Sequence, residues 1–333
     1  MGYVPPFTLT SEILELVAII AQKTGQIETY ERLSASPQLR KENRIRTIHS
    51  SLAIENNSLS LEQVTAVIEG KHIIAPARDI LEVQNALATY ERLNTFELAS
   101  AISLLNAHAV LMKGLTAEAG RYRSGDVGVF DNGRLIHAGT PANYVPDVMA
   151  DLFEWLRTTD MHPLIASCVF HYEFEFIHPF ADGNDRMGRL WQTLILSDWN
   201  DLYAWLPVES LVKENQQAYY DALNASDKAG NCTSFVTFML NTISLALDDA
   251  IRVQSAGGIN DGINDGISNR SEVMKLRLLR LIKEHPSITV AQMADALGIS
   301  KRQAERTVAN LKAQGRLVRV GANRNGHWEV RDE

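Results

Sequence analysis

A twelve-residue segment near the middle of the chain combines side chains that handle phosphate groups. It runs from His178 to Arg189 and reads HPFADGNDRMGR. The segment contains an imidazole, which can act as a base near neutral pH, and carboxylates, which can hold a divalent cation. It also contains two arginines, whose guanidinium groups bind phosphate oxygens. These residue types at this spacing indicate an active site for a phosphate-containing substrate.

The second half of the segment predicts a helix over residues 184–199. Its apolar residues recur at helical spacing: Met187, Leu190, Trp191, Leu194 and Ile195. Gly183 and Asn184 would then lie at the helix N-terminus, where free N–H groups and the helix dipole attract anions. His178 and Asp182 would stand just before this anion site.

The elements around the segment predict an all-α fold. A helical bundle without chemistry would explain most of the apolar stripes between residues 10 and 250. Ser60 also starts a capping box, because Gln63 follows three residues later. The predicted helices are Thr10–Arg32, Pro37–Ile54, Ser60–Glu69, Arg78–Asn94, Ala99–Lys113, Asn143–Thr158, Pro163–Ile177, Asn184–Trp199, Leu211–Ala225 and Cys232–Val253.

A β-hairpin is predicted at residues 127–137, before the phosphate segment. Two extended runs, Val127–Phe130 and Leu135–His137, flank the dipeptide Asn132-Gly133, which favours a tight hairpin turn. A surface hairpin that merely links helices is the alternative interpretation.

The C-terminal part of the chain is predicted to be a separate winged helix-turn-helix domain over residues 271–333. Three helices, Ser271–Glu284, Thr289–Leu297 and Ser300–Gln314, precede two strands, Arg316–Val320 and Gly326–Val330. A repeat rich in Gly, Asn and Asp within residues 255–270 predicts a flexible linker, with a calcium-binding turn as a remote alternative. Residues 1–95 and 96–254 are predicted to be a helical N-terminal region and a catalytic core.

The charge is divided unevenly between these parts. The whole chain carries a formal net charge of −8, whereas residues 271–333 contain 12 Lys and Arg against 7 Asp and Glu. The tail is therefore basic and the body acidic, which suggests different partners. Two cysteines, Cys168 and Cys232, have no metal-ligand spacing and fit a reducing compartment. We expect a cytoplasmic protein without a membrane span.

Two motifs in this chain resemble the Fic family of nucleotidyl transferases, which usually transfer AMP. The run His178-Pro179-Phe180-x-Asp182-Gly183-Asn184-x-Arg186-x-x-Arg189 resembles the family signature. The run from Ser51 to Asn56, which contains Glu55, resembles the inhibitory-helix motif of the subclass that carries its own N-terminal inhibitor. The resemblance covers residues 45–225.

The resemblance implies a Fic-type helical bundle that transfers AMP from ATP to a protein hydroxyl with Mg2+. His178 would be the base, and Asp182 would hold the metal. The hairpin residues Leu135, Ile136 and His137 would form a flap that binds the target protein. The nucleotide-binding residues would be Gly183, Asn184, Asp185, Arg186 and Arg189.

The second motif implies a means of control. Ser51, Glu55 and Asn56 would form the inhibitory site, in which Glu55 pairs with Arg189 and takes the guanidinium from the γ-phosphate. Some family members of this type also remove AMP with the same glutamate. The sequence leaves the oligomeric state open, with a homodimer as one option.

Asp185 departs from the family signature, which has glycine at this position. Two like charges about 4 Å apart at an effective dielectric near 20 repel by about 4 kcal/mol, so Asp185 is expected to weaken phosphate binding. A side chain turned outward would instead cap the helix, with a gain of about 0.5 kcal/mol. A second metal ligand is a third option. The rival function is a catalytically silent, nucleotide-sensing transcriptional regulator.

Two further alternatives stay open. His171, Glu175 and His178 fall on one face of the preceding helix, which could bind a transition metal as in metallohydrolases. The tail could bind DNA or dock onto a protein. The predicted DNA-contacting residues are Lys301, Arg302, Gln303 and Arg306 of the third helix and Arg324 of the wing; Thr307 and Asn310 lie on the same helix and Arg319 on the wing.

Overall fold

The structure, a computed structural model, describes two compact units, Met1–Gln254 and Ser255–Glu333. The described residues are 3–29, 37–131, 134–256, 275, 278–279, 281–283, 285–286, 288–297, 299, 301–313, 316–320 and 327–330. The side chains of 128–131, 134–138, 253–256, 295, 303, 313 and 320 are outside this description. Most of the predicted linker, the hairpin tip at residues 132–133 and the wing residue Arg324 therefore lie outside the described residues.

The first unit is a helical bundle with one β-hairpin, which confirms the predicted fold class. Its helices and strands are α1 (Ser11–Thr29), α2 (Pro37–Ile54), α3 (Leu61–Ile68), α4 (Ala77–Tyr90), α5 (Ala101–Leu111), β1 (Gly128–Asp131), β2 (Arg134–Ala138), α6 (Val145–Thr158), α7 (Pro163–Ile177), α8 (Asn184–Trp199), α9 (Val208–Glu214), α10 (Gln216–Ala229) and α11 (Thr233–Ala256). Short 3-10 turns at Leu93–Thr95, Ala142–Tyr144 and Asp201–Ala204 connect some of them.

Helices α7 and α8 pack against each other at the centre of the bundle. Phe170 and Phe174 of α7 and Trp191 of α8 are completely buried. Gly188 allows the close approach, because a Cβ atom there would lie 2.4 Å from Oε1 of Glu175. The segment between these two helices, which carries the phosphate motif, is thus held by the most deeply buried part of the core.

Several element bounds match the sequence prediction. Helices α2, α7 and α8 have the predicted bounds. The capping box at Ser60 and Gln63 is present, with the Ser60 side chain accepting from the Gln63 backbone N–H and the Gln63 side chain accepting from Ser60. The helix predicted over Leu211–Ala225 was wrong, because two helices meet at Asn215. This residue leaves the helical conformation, and its side-chain amide donates to the Leu211 carbonyl at 2.9 Å.

The predicted hairpin is present as an antiparallel pair of strands. Val129 faces His137 and Phe130 faces Leu135, with a bulge between Val129 and Phe130. Immediately after β2, the Gly139 N–H donates to the Val127 carbonyl at 3.1 Å and continues the pairing. In chain order, the hairpin lies between α5 and α6.

Helix α11 is long and apolar enough to cross a membrane by length and composition, over Thr233–Arg252. The sequence analysis had found no such run. Half of this window is buried inside the bundle, where Phe235, Val236, Leu240 and Ile243 are part of the core. Packing in the core accounts for its apolar composition.

Within its described residues, the second unit includes α12 (Val290–Leu297), α13 (Lys301–Ala313), β3 (Leu317–Val320) and β4 (His327–Val330), preceded by helical residues at 275, 278–279 and 281–283. The strands pair antiparallel, with Arg319 opposite Trp328. The Trp328 indole N–H donates to the Ile288 carbonyl at 2.9 Å, and its ring packs with Leu311 and Leu317 in the core of this unit. This arrangement confirms the predicted winged-helix fold.

Candidate functional site

The loop between α7 and α8 carries the centre of the predicted site. Helix α7 ends at His178, whose backbone is left-handed with φ 53°. Helix α8 begins after Gly183, which is also left-handed, with φ 87°. A Cβ atom on Gly183 would lie 2.7 Å from Sδ of Met112, so only glycine fits this position without rearrangement. The loop thus reaches the N-terminus of α8 through two left-handed residues.

Three buried polar side chains, those of Arg123, His108 and Asn184, hold this loop. The sequence predicts no role for Arg123 or His108. The Arg123 Nε donates to the His178 carbonyl at 2.7 Å, and its other nitrogens donate to the carbonyls of Gly125 and Thr140 at the base of the hairpin. His108 stacks on Phe180 at a centroid distance of 3.6 Å. The contacts of Arg123 with His178 and of His108 with Phe180 have no local signal in the sequence, because each joins positions tens of residues apart.

The tautomer of His108 follows from its partners. Its Nδ1 accepts from the Gly120 N–H at 2.9 Å, so its Nε2 carries the proton that is donated to the Asp182 carbonyl at 3.0 Å. Burial lowers the pKa of His108 to about 4, which keeps this ring neutral. The ring is therefore a fixed donor that orients the backbone of the loop.

The Asn184 side chain, which is predicted to bind nucleotide, contacts the loop itself in this structure. Its side-chain oxygen accepts from the Phe180 N–H at 2.8 Å, and its amide nitrogen donates to the Phe180 carbonyl at 2.8 Å. The side chain is buried and closes the loop on itself. Asn184 therefore shapes the loop in this structure, and the backbone N–H groups at the start of α8 are further candidate donors to an anion.

Arg189 is the buried cation of the site. Its Nε donates to the Ser51 hydroxyl at 3.1 Å, and its Nη2 donates to the Ser51 carbonyl and to Oε1 of Glu55, both at 3.0 Å. Burial alone would lower the pKa of Arg189, but the adjacent carboxylates of Glu55 and Asp185 raise it. The two sequence motifs, although far apart in the chain, thus meet through this guanidinium.

Glu55 is placed by the C-terminal end of α2. The Asn56 N–H donates to the Ala53 carbonyl at 3.3 Å and the Asn57 N–H to the Leu52 carbonyl at 3.1 Å, which is the Schellman pattern of a helix end. This pattern requires a left-handed residue, and Asn56 has φ 65°. Asparagine tolerates that conformation, which gives a physical reason for this residue type in the motif.

Asp182 and Arg186 lie at the edge of a cavity of about 290 Å³. Arg186 is buried, and its Nη2 lies 3.0 Å from Oδ1 of Asp182 while its Nη1 lies 3.7 Å from Oε1 of Glu82. The described residues that line the cavity are Glu55, Asn56, Asn57, Arg78, Asp79, Glu82, Asp182 and Arg186. His178, at the end of α7, is half-buried and is not among these lining residues.

Asp185 faces the interior of the bundle. Its carboxyl group interacts with the carboxyl group of Glu175 in α7, and it lies near Arg189. Burial, followed by the charge of Glu175, raises the pKa of Asp185 to about 7. Burial likewise raises the pKa of Glu175 to about 8. A carboxyl group that keeps its proton near neutral pH carries less of the negative charge on which the expected repulsion of phosphate depends.

The structure does not bring His171, Glu175 and His178 together as a metal site. Among the residues that the structure describes, no group of three or more His, Cys, Asp or Glu side chains could hold a metal ion. The His171 Nδ1 lies 2.7 Å from the Gln192 side-chain oxygen, and its Nε2 lies 3.1 Å from the Tyr219 hydroxyl. His171 is therefore a core histidine with hydrogen-bond partners on both ring nitrogens. Cys168 and Cys232 are both buried and form no disulfide.

The predicted DNA-contacting residues are partly described. Lys301, Arg302 and Arg306 are exposed on α13. The side chain of Gln303 and all of Arg324 lie outside the described residues. Thr307 of the same helix is buried and does not belong to this exposed face. The flap residues Leu135, Ile136 and His137 lie on β2, although only their backbone is described.

The Asp185 environment predicts a pH-dependent stability. Folding raises the pKa of the Asp185 carboxyl from about 4 to about 7. As the pH rises through this range, the unfolded chain loses the proton before the folded protein does, so the folded state becomes less stable. Asp185→Asn removes this cost, so we expect it to raise the free energy of unfolding at pH 8 by about 1–3 kcal/mol and to change it little at pH 4. Urea denaturation at both pH values measures this. Equal effects at the two pH values would contradict the assignment.

Two sequence families match this chain. The Fic/DOC family matches residues 99–196, and the MarR family matches residues 272–326. A protein adenylyltransferase Fic from Nematostella vectensis is 29% identical over 220 residues, which cover 62% of this chain and 49% of that protein. Protein adenylyltransferase fic-1 from Caenorhabditis elegans is 29% identical over 244 residues, which cover 68% of this chain and 45% of that protein. The chain thus spans about half the length of these relatives.

A solved structure extends the similarity over the whole chain. The crystal structure of a Fic family protein from Desulfovibrio desulfuricans G20 is 42% identical, covers 99% of both chains and superimposes with a TM-score of 0.74. Fic-1 from C. elegans superimposes with a TM-score of 0.60 over 73% of this chain at 23% identity, which supports the fold. The chain belongs to the Fic family.

Proposed function

We propose that this chain transfers AMP from ATP to a hydroxyl group of a protein and that Glu55 restrains the reaction. The observation that carries the proposal is the meeting of the two motifs at Arg189. The buried guanidinium of Arg189, near the N-terminus of α8, binds Glu55. Glu55 also lines the cavity that Asp182 and Arg186 of the motif border. The relatives named protein adenylyltransferase Fic supply the reaction class.

The residues of the loop supply binding and proton transfer. The backbone N–H groups at the start of α8 are fixed donors for an anionic phosphate, because the loop is already held by His108, Arg123 and Asn184. His178 is the proposed base that takes the proton from the attacking hydroxyl. Arg186 and Arg189 are the proposed partners of the β- and γ-phosphates. The Nη1 atom of Arg189 makes no hydrogen bond within the described residues, so it can accommodate a phosphate oxygen.

Asp182 fits the role of a Mg2+ ligand. Its carboxylate is 40% exposed at the cavity, next to the anion site. Mg2+ prefers one or two carboxylates together with phosphate oxygens, so a single exposed carboxylate beside a polyphosphate site matches its requirements. When bound, Mg2+ would neutralise charge on the polyphosphate. Asp182, presented by the loop that His108 holds, would orient that charge.

The proposed restraint is a competition for Arg189. While Glu55 accepts from the guanidinium, a γ-phosphate cannot take the same position, and the nucleotide would bind in a pose unsuited to attack. Burial and the charge of Asp185 raise the pKa of Glu55, whereas Arg189 opposes this increase. The same glutamate could support removal of AMP, which belongs to this proposal as the reverse reaction.

Removal of the restraint is the first test. Glu55→Gly should increase labelling of protein by α-phosphate-labelled ATP at least about tenfold, because one charge-assisted hydrogen bond to Arg189 is lost. Asp185→Gly in the same background measures the effect of the departure from the family motif. His178→Ala in the Glu55→Gly background is the control and should abolish labelling.

The outcomes separate two functions. Labelling by the Glu55→Gly protein supports the transferase. Labelling only after Asp185→Gly would mean that the natural chain is a catalytically silent nucleotide sensor. If none of the variants labels protein or binds MgATP, the transferase and the sensor are both rejected.

We also propose that β2 binds the target protein by strand addition. Within the described residues, β1 and β2 form a two-stranded sheet, so the outer edge of β2 can pair with an extended segment. Arg123 links the base of this hairpin to the carbonyl of His178. A target segment on β2 would therefore lie in a fixed relation to the base.

A bulky residue on the flap should reduce labelling of other proteins. Ile136→Trp in the Glu55→Gly background is expected to lower labelling of lysate proteins several-fold while the affinity for MgATP stays the same. Ile102→Trp, at a position that is 73% exposed on α5, is the matched control. Unchanged labelling by Ile136→Trp would count against the flap as the target site.

For the second unit we propose DNA binding. The match to the MarR family and the three exposed basic residues Lys301, Arg302 and Arg306 on α13 support it. Phosphate contacts by such residues release counterions, so the affinity for DNA falls with salt.

The salt dependence of DNA binding tests this assignment. We expect the full chain to bind duplex DNA with an affinity that decreases steeply between low and physiological salt, and Arg306→Ala to reduce the slope of log affinity against log salt by about 1. Lys71→Ala, in the first unit and 68% exposed, is the control for loss of a positive charge. A gel shift that is absent at low salt would favour a protein-docking role for this domain.

A further inference from the structure

The cavity beside the motif loop contains a guanidinium that the motif does not supply. Arg78 belongs to the first turn of α4, outside the segment that matches the Fic/DOC family. Its side chain is 61% exposed and lines the cavity together with Asp182 and Arg186. The helix predicted over Arg78–Asn94 begins at this residue, for which the sequence predicts no role.

Arg78 and Arg186 bind opposite oxygens of the same carboxylate. The Arg186 Nη2 lies 3.0 Å from Oδ1 of Asp182, and the Arg78 Nη2 lies 3.4 Å from Oδ2. The proposed metal ligand is therefore covered by two guanidinium groups. A cation that binds Asp182 competes with one of them, and Arg78 is the one that can move, because Arg186 is buried and Arg78 is not.

Glu82 holds both guanidinium groups from the other side. Its Oε1 lies 3.3 Å from the Arg78 Nε and 3.7 Å from the Arg186 Nη1. Its Oε2 accepts from the Asn57 side-chain amide at 2.8 Å, and Asn57 directly follows the inhibitory motif. Glu82 is itself buried, so its position is well defined. The result is a closed network in which α4 joins the inhibitory turn to the motif loop.

The residues that line the cavity carry more negative than positive charge, so each cation that can turn toward a polyphosphate matters for its binding. Its lining residues include four carboxylates, on Glu55, Asp79, Glu82 and Asp182, and two guanidinium groups, on Arg78 and Arg186. A polyphosphate is repelled by this excess of negative charge unless the nearby cations turn toward it. Arg78 can do so while its Nε keeps the contact with Glu82, because a guanidinium has five N–H donors.

We propose that Arg78 is a third phosphate-binding arginine of this site, which pairs with Asp182 in the absence of nucleotide and transfers to the β- or γ-phosphate when MgATP binds. Glu82 is the positioning residue that keeps it within reach. The proposal rests on the proposed function, since it assumes that the cavity accepts a nucleotide. It assigns part of the selectivity for triphosphate over monophosphate to α4.

Nucleotide affinities of the full chain test this. In the Glu55→Gly background, Arg78→Ala should weaken binding of MgATP at least about tenfold, the effect of losing one charge-assisted contact. Binding of AMP should change by less than about twofold, because AMP lacks the phosphates that Arg78 would contact. Arg78→Lys should recover part of the loss. Calorimetric titration measures these affinities without turnover.

The controls distinguish the proposal from its assumption. Arg92→Ala removes an exposed arginine just beyond the other end of α4 and should leave both affinities unchanged. If Arg78→Ala weakens the binding of MgATP and AMP equally, or weakens neither, the role proposed for Arg78 is wrong and the proposed function is unaffected. If the Glu55→Gly parent binds no nucleotide, the proposed function fails and this assignment fails with it.

Discussion

The contact between the two sequence motifs depends on the buried guanidinium of Arg189. A buried charge is tolerated only when a partner of opposite charge and further hydrogen bonds compensate its desolvation. Glu55 and Ser51 provide that compensation from α2, so α2 has to lie across the start of α8. A polyphosphate would satisfy the same guanidinium equally well. In the proposed function, pairing with Glu55 and binding of a phosphate are therefore alternative ways to compensate this buried charge.

The anion site itself is built largely from the backbone. Its shape depends on left-handed residues at His178 and Gly183 and on buried side chains that bind loop carbonyls. Neutral His108 and buried Arg123 bind opposite ends of the loop, so neither end can shift without breaking a buried hydrogen bond. Donors fixed in this way need no reorganisation when charge develops on a substrate.

Local signals allowed much of this to be predicted from the sequence. Helices α7 and α8 have the bounds predicted from their residues, and the predicted capping box at Ser60 is present. The break at Asn215 was missed because apolar spacing continues through it. The interior orientation of Asp185, next to Glu175, and the contacts of Arg123 and Arg78 could not be predicted. These depend on how separate helices meet in space, whereas capping and periodicity are properties of neighbouring residues.

The C-terminal end of α2 is fastened by side chains from two other helices. The Lys213 Nζ donates to the Ala53 carbonyl at 2.5 Å, and the Gln216 side-chain amide donates to the Ile54 carbonyl at 3.0 Å. Together with the Schellman turn, these bonds satisfy carbonyls that a free helix end would expose to water. A change of rotamer at Glu55 would therefore break its contact with Arg189 while α2 and the two bonds from Arg189 to Ser51 stay in place. Changes of side-chain rotamer are faster than helix displacements, so the restraint proposed for Glu55 would open without any movement of α2.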